Sequence, residues 1–275
     1  MAGIWGRGDP YERYVGRWSR RVAPLFLDWL GAGTGLDWVD VGCGTGALTE
    51  AILDGRSPAS VVGVDPAPGF VASARERLGG RARFDVGDAA AIPLPDGCAD
   101  AVVSGLVLNF VPDPAAAAAE ALRIARPGAV VGAYVWDYAG RMDLMRRFWD
   151  AAAALDPEAA RIDEGPRFPL AHPDALAALL TSAGCADVAT TALDIPTVFA
   201  DFEDYWTPFL GGQGPAPAYT MSLEPEAREA LRARLEETLP REPDGSIALL
   251  ARAWAVRGTR PGSWTAPRPV DADIA

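Results

Sequence analysis

From residue 36 onward the chain alternates between short apolar runs rich in β-branched residues and alanine-rich segments with helical spacing. Residues 36–41, 60–64, 82–86, 99–104 and 129–136 read as strands, with helices expected over 47–53, 69–78 and 114–125. These strands are apolar at odd and even positions alike, so both of their faces are buried. Helical crossovers between such strands imply a parallel sheet covered on two sides. After Trp136 the pattern changes. Residues 141–155 and 173–183 read as amphipathic helices, the second stopping at Gly184. Residues 186–198 and 246–257 read as two more strands, the last placing Ile247, Leu249, Ala251, Ala253 and Ala255 on one face. The insertion between them holds the aromatic stretch 199–210 and a charged helix at 224–239. That insertion and residues 138–170 are expected to lie over the carboxyl edge of the sheet.

At 275 residues and 49% hydrophobic, the chain suits one large α/β domain. The expectation is a single domain over 1–258, with lid segments at about 1–30, 138–170 and 199–245, and a flexible tail at 259–275. The net charge of -12 would repel phosphate backbones, so nucleic acid is not an expected partner. Every one of the 25 basic residues is arginine, which excludes lysine Schiff-base and lysine-base chemistry. Cys43, Cys98 and Cys185 are odd in number and widely spaced, so they suggest neither a disulfide framework nor a metal site. The polar N-terminus does not read as a signal peptide, and no apolar run is long enough to span a bilayer. A cytoplasmic protein without a membrane partner is expected.

The most informative segment ends the first strand: Val39-Asp40-Val41-Gly42-Cys43-Gly44-Thr45-Gly46, with a helix opening at Ala47. Glycines there let the backbone turn tightly and approach a ligand, and in an open parallel sheet this position lines the ligand crevice. Gly42, Gly44 and Ala47 also satisfy the G-x-G-x-x-A nicotinamide fingerprint, with Asp65 as a ribose-binding acid. Three features separate the readings: Asp40 ahead of the glycines, Gly63-Val64-Asp65-Pro66 ending the second strand, and Gly87-Asp88-Ala89 after the third. Further along come Asp100-Ala101-Val102-Val103-Ser104, then Leu106-Val107-Leu108-Asn109-Phe110-Val111-Pro112-Asp113, and the turn Arg126-Pro127-Gly128-Ala129. In this order and at these strand ends, the segments resemble the motifs of class I S-adenosylmethionine-dependent methyltransferases. The resemblance is strong over residues 36–136 and holds only in outline over 173–257. The N-terminal Tyr11-Glu12-Arg13-Tyr14-Val15-Gly16-Arg17-Trp18-Ser19 resembles the leader of small-molecule members related to the quinone-type enzymes.

The resemblance implies a Rossmann-like, seven-stranded, mostly parallel sheet with helices on both faces and a helical lid from the N-terminus and the two insertions. It implies S-adenosylmethionine as methyl donor and S-adenosylhomocysteine as product. Gly42, Cys43, Gly44, Thr45 and Gly46 would approach the methionine part and ribose, and Asp40 would bind the ammonium group. Asp65 would hold the ribose, with Pro66 and Phe70 beside the adenine. Asp88, after Gly87, would read the adenine amino group and Ala89 would donate its backbone N–H to the ring. Ser104, Gly105 and Leu106 would pass near the sulfonium, while Tyr14 and Arg17 would close the site, Arg17 toward the donor carboxylate.

The added segments are rich in aromatics, and a subset facing the crevice would make an apolar acceptor pocket. Trp18, Asn109, Trp136, Tyr138, Tyr205, Trp206 and Phe209 are the candidates, for a small hydrophobic or aromatic acceptor. Gly211-Gly212-Gln213-Gly214-Pro215 reads as a mobile loop suited to a lid hinge. The only histidine, His172, precedes Pro173 at a helix start and reads as a cap or loop residue rather than a base. No catalytic base is named. A nicotinamide-dependent reductase is the alternative enzyme, although its common Tyr-x-x-x-Lys pair needs a lysine. A donor-binding regulatory protein without turnover is a third reading. Either a monomer or a homodimer is compatible with the sequence.

Overall fold

The computed structural model describes residues 16–163, 165–211 and 214–262. The strands are β1 (Asp37–Val41), β2 (Ser60–Asp65), β3 (Arg83–Val86), β4 (Ala99–Gly105), β5 (Ala125–Trp136), β6 (Ala186–Phe199) and β7 (Ile247–Thr259). They form one sheet in the order β3-β2-β1-β4-β5-β7-β6. Pairing from β3 through β5 is parallel, and β7 runs antiparallel to both of its neighbours. The sequence pattern is thus realised as a mostly parallel sheet. The strand order reverses between β1 and β4, and at such a switch point the connections leave in opposite directions and open a crevice at the carboxyl ends.

Side-chain alternation divides the sheet into two faces. Trp38, Val61, Ala101, Val103 and Tyr134 share a core with α1 (Arg17–Leu30), α2 (Ala47–Gly55) and α5 (Asp143–Leu155). On the opposite face Val39, Val41, Val102, Ala133 and Val135 pack with α4 (Pro114–Ile124) and α6 (Pro173–Ala183). Ahead of these in the chain, α3 (Pro68–Leu78) closes the β2–β3 end, burying Val71, Ala74 and Leu78 against Phe84.

The described part of the expected N-terminal lid, residues 17–30, is a sheet-covering helix. Val22, Ala23, Phe26, Leu27 and Leu30 are buried along one side of α1, spaced to form one stripe. Gly132 of β5 makes room for them, since a Cβ there would lie 2.7 Å from a Leu30 methyl. The Arg257 guanidinium donates to the Leu30 carbonyl at 3.0 Å and ties the helix end to β7. Burial of this stripe holds the described part of the segment against the sheet.

The second insertion carries α7 (Phe202–Trp206), α8 (Pro215–Ser222) and α9 (Pro225–Thr238). The segment expected to be a hinge is in part structured: Thr207–Gly211 forms a 3₁₀ turn, Gly214 (φ 95°) caps α8 and Pro215 starts it. Proline suits that first helical position because its missing N–H has no intrahelical partner there. Gly212 and Gln213 lie outside the described residues. The expected tail also begins later than residue 259. Strand β7 runs to Thr259, and Arg260 exchanges backbone hydrogen bonds with Gly128 and Ala129. Residues 263–275 and the leader through Val15 lie outside the described residues.

Candidate functional site

The loop leaving β1 turns on glycines at φ 76° (Gly42), 53° (Gly44) and 88° (Gly46). At Gly42 a Cβ would overlap the Val107 side chain, which approaches from beyond β4, so only glycine lets the two strand ends close up. At Gly44 a Cβ would meet nothing within 4 Å, so this part of the loop faces open space at the crevice. The loop is internally bonded: Gly42 and Cys43 donate N–H to the Val64 carbonyl at 2.7 and 3.0 Å, and Gly46 to the Cys43 carbonyl at 2.8 Å.

Two aspartates flank it. Asp65, 7% exposed at the end of β2, accepts the Gly44 N–H on one oxygen and the Ala67 N–H on the other, each at 2.9 Å. Burial pushes its pKa up, and these two hydrogen bonds oppose the shift. Asp40 is 1% exposed and accepts the Thr49 hydroxyl at 2.7 Å. Its other oxygen is buried without a partner. Burial first, then the nearby Asp65 charge, push Asp40 up to about 7 against the Thr49 hydrogen bond. A buried carboxylate oxygen without a partner costs free energy until it receives a hydrogen bond.

The neighbouring strand ends complete the edge. Asp88 is exposed after β3 and accepts the Ala90 N–H at 2.8 Å, while Ala89 is buried. Gly87 donates its N–H to the Asp65 carbonyl at 3.1 Å. Pro66 is exposed and Phe70 half-buried, both just past Asp65. Ser104 is buried with its hydroxyl unpartnered, and Gly105 leaves space for the Tyr134 ring. Leu106 adopts φ 63°, a left-handed conformation that costs energy for leucine, and is held there by its N–H donating to the Tyr134 carbonyl at 2.7 Å. Asp40, Gly42, Gly44, Gly46, Asp65 and Leu106 therefore meet at the adjoining ends of β1, β2 and β4, with Thr45 in the same loop.

Other expected residues lie elsewhere or act differently. The Cys43 side chain packs among Val71, Ala74, Leu78 and Phe84 under α3, where burial raises its thiol pKa. Only its backbone belongs to the loop. Arg17 pairs with Asp204 at 2.9 Å and lies over the rings of Trp18 (4.5 Å) and Phe199 (4.7 Å). One guanidinium nitrogen is thus engaged by a carboxylate of the chain's own insertion, while Nε and Nη2 are buried without a partner. Tyr14 lies outside the described residues.

Trp18, Tyr205, Trp206 and Phe209 are at most 3% exposed and form a closed aromatic cluster. Trp18 meets Phe199 edge-on at 5.4 Å, and Phe209 stacks on Phe148 at 4.5 Å. Tyr205 donates its hydroxyl to the Leu144 carbonyl at 3.0 Å. These four rings are packing for the insertion rather than a pocket wall. Trp136, also 2% exposed, ends β5 with its indole N–H unpartnered. Asn109 and Tyr138 follow β4 and β5 respectively, on the carboxyl side of the sheet. Sequence reasoning missed two rings beside them, Phe110 and Phe168. Phe110 lies within the motif that follows β4, but Phe168 is a single aromatic in a polar loop and carries no signal. His172 accepts the Asp174 N–H at 3.3 Å as the N-cap of α6, with its side chain 63% exposed. Among the described residues there is no cluster of three metal-ligating side chains, and no helix is long and apolar enough to cross a membrane.

The model of the methyltransferase domain family matches residues 39–132, from β1 through β5. A demethylmenaquinone methyltransferase of Roseiflexus castenholzii is 35% identical over 167 residues, covering 54% of this chain and 68% of that protein. The chain belongs to the class I S-adenosylmethionine-dependent methyltransferases. A 2-methyl-6-phytyl-1,4-hydroquinone methyltransferase of Synechocystis is 29% identical over 192 residues, covering 68% of this chain and 58% of that one. Among solved structures, phosphoethanolamine N-methyltransferase 2 of Haemonchus contortus shares the fold with a TM-score of 0.58 at 15% identity, covering 95% of this chain and 57% of that one. The chain spans between 36% and 50% of the length of the first curated relatives it matches.

Proposed function

We propose that this protein transfers a methyl group from S-adenosylmethionine to a small hydrophobic or aromatic acceptor by in-line displacement. The observation that carries the reading is Asp40: a buried carboxylate with one oxygen unpartnered, set behind a glycine loop that opens onto the crevice. That donor set fits the ammonium end of the methyl donor, while Asp65 would hold the ribose hydroxyls and Asp88 and Ala89 would meet the adenine. When bound, S-adenosylmethionine supplies a methyl carbon on a sulfonium sulfur that departs with the bonding electron pair as S-adenosylhomocysteine. The chain's own part is to position and to exclude water. Asp40 binds the cationic end, the Gly42–Gly46 loop allows close backbone approach, and Leu106, locked by Tyr134, shapes the wall beside the reacting centre. The solvent-facing cap His172 takes no part, and an acceptor that arrives activated needs no base.

Two relatives carry quinol-type names, which supports a ring acceptor. The acidic net charge of -12 weighs against nucleic acid. A cytoplasmic monomer or homodimer completes the reading. Calorimetric titration with S-adenosylmethionine, S-adenosylhomocysteine and NADH, for wild type and Asp65→Ala, tests it. Saturable binding of the first two, lost in Asp65→Ala, is expected. Binding of NADH without either of them would overturn it.

A further inference from the structure

Three rings bridge the ends of β4 and β5 and the first insertion. Phe110 meets Phe168 edge-on, centroids 5.3 Å apart at 70°, and Phe168 meets Tyr138 at 4.9 Å and 45°. Phe110 is 45% exposed, Phe168 half-buried and Tyr138 6% exposed, so the row runs from the surface into the protein. Phe110 belongs to the 3₁₀ turn Leu108–Phe110, which packs on β5 and whose end is closed by its N–H donating to the Val107 carbonyl at 2.8 Å. Val107 is the residue against which Gly42 closes, so the platform and the glycine loop share a wall.

The row is fixed in place before any ligand arrives. Arg146 of α5 forks onto both oxygens of Asp163, one bond at 2.7 Å, with the two side chains 18% and 14% exposed. Asp163 also accepts the Gly165 N–H at 2.8 Å, and the Phe168 carbonyl accepts the Ala171 N–H at 3.0 Å. A bidentate guanidinium–carboxylate pair holds geometry well, so the Phe168 loop is braced on both sides of the ring. Beside the row, the Asn109 amide oxygen is buried without a partner. A buried acceptor oxygen costs free energy until it receives a hydrogen.

We propose that Phe110, Phe168 and Tyr138 form a preformed platform for a planar aromatic acceptor bearing a hydroxyl, which donates its hydrogen bond to Asn109. This rests on the methyltransferase reading and specifies its acceptor class. Ring geometry favours an aromatic ligand edge-on or offset against Phe110. An orphan carbonyl oxygen accepts a neutral O–H and repels a carboxylate, and the acidic surface adds to that repulsion. Asn109 holds and orients the hydroxyl; an amide is too weak a base to take its proton. Arg146 and Asp163 are positioning residues that act through Phe168.

The test is calorimetry of the full chain saturated with S-adenosylhomocysteine, using 2-naphthol, naphthalene-2-carboxylate and cyclohexanol as probes. The proteins are wild type, Phe110→Ala, Phe168→Leu and Asn109→Leu, each checked by thermal melting. Wild type is expected to bind 2-naphthol in preference to the other two. Phe110→Ala should weaken it about tenfold and Phe168→Leu about threefold. Asn109→Leu should narrow the preference for the hydroxyl over the carboxylate. S-adenosylhomocysteine affinity should stay within about twofold throughout. Naphthol binding equal in all four proteins, or matched by the carboxylate or cyclohexanol, would overturn the platform while leaving the donor site intact. Failure of wild type to bind S-adenosylhomocysteine would overturn the methyltransferase reading and the platform with it.

Discussion

Replacing Asp40 by asparagine should make the ligand-free protein more stable at alkaline pH while crippling donor binding. Burial lifts this carboxyl from its ordinary 3.8 to about 7, so the folded protein holds the proton more tightly than the unfolded chain does. The destabilisation is therefore absent below the ordinary value, grows as pH rises through the window, and is complete above about 7. At roughly 1.4 kcal/mol per tenfold, the full cost is ~4 kcal/mol, and at pH 5 it is ~1.6 kcal/mol. Asparagine keeps the acceptor for Thr49 but strands an N–H group where the second oxygen was, a pH-independent penalty of ~1–3 kcal/mol. Because that penalty cancels on comparison, the mutant's stability relative to wild type should improve by ~2–3 kcal/mol between pH 5 and pH 8. Urea unfolding without donor at the two pH values measures this directly. The same variant should bind S-adenosylmethionine about 10- to 100-fold more weakly, the value of a hydrogen bond to a charged group. Wild-type affinity should rise about tenfold from pH 6 to pH 8, a dependence the mutant lacks. A relative stability that does not move with pH, or undiminished donor affinity, would refute the reasoning.

Other consequences follow from the same geometry. Gly42→Ala should destabilise the fold by about 1–3 kcal/mol through overlap with Val107 and a left-handed backbone, and Gly42→Ala with Val107→Ala should recover only the overlap part; chemical denaturation of both checks this. Asp204→Asn, breaking a pair whose side chains are about one-third exposed, should cost ~0.5–1 kcal/mol and leave donor affinity unchanged by calorimetry. A large loss of donor binding there would restore Arg17 to the donor site. His172→Ala should cost no more than about 1 kcal/mol as a lost cap, with the rate of methyl transfer to any accepted substrate unaltered.

Much of the glycine-loop edge is legible in the amino-acid sequence. The Asp40–Gly46 stretch, Asp65 and Asp88 sit at strand ends, and strand ends are local features set by hydrophobic period and turn residues. The cap role of His172 and the stop at Gly184 are legible for the same reason. The packing of the added segments is not. Trp18, Tyr205, Trp206 and Phe209 qualify as candidates because they are aromatic and lie in added segments, yet in the fold they fill the core. An aromatic residue buries a similar area whether a ligand or another ring covers it, so identity alone does not say which.

The sequence by itself determined the alternation of strands and helices, the two-faced burial of the sheet and the glycine loop, because each follows from residue spacing within a single segment. Tertiary structure decided that β7 enters between β5 and β6, that Arg17 pairs with Asp204 through one nitrogen, and that Phe110, Phe168 and Tyr138 form one row. It also decided that Asp40 keeps one oxygen unpartnered. These depend on which distant segment covers an apolar face or reaches a polar atom, and a periodic pattern states that a face is buried without naming its partner.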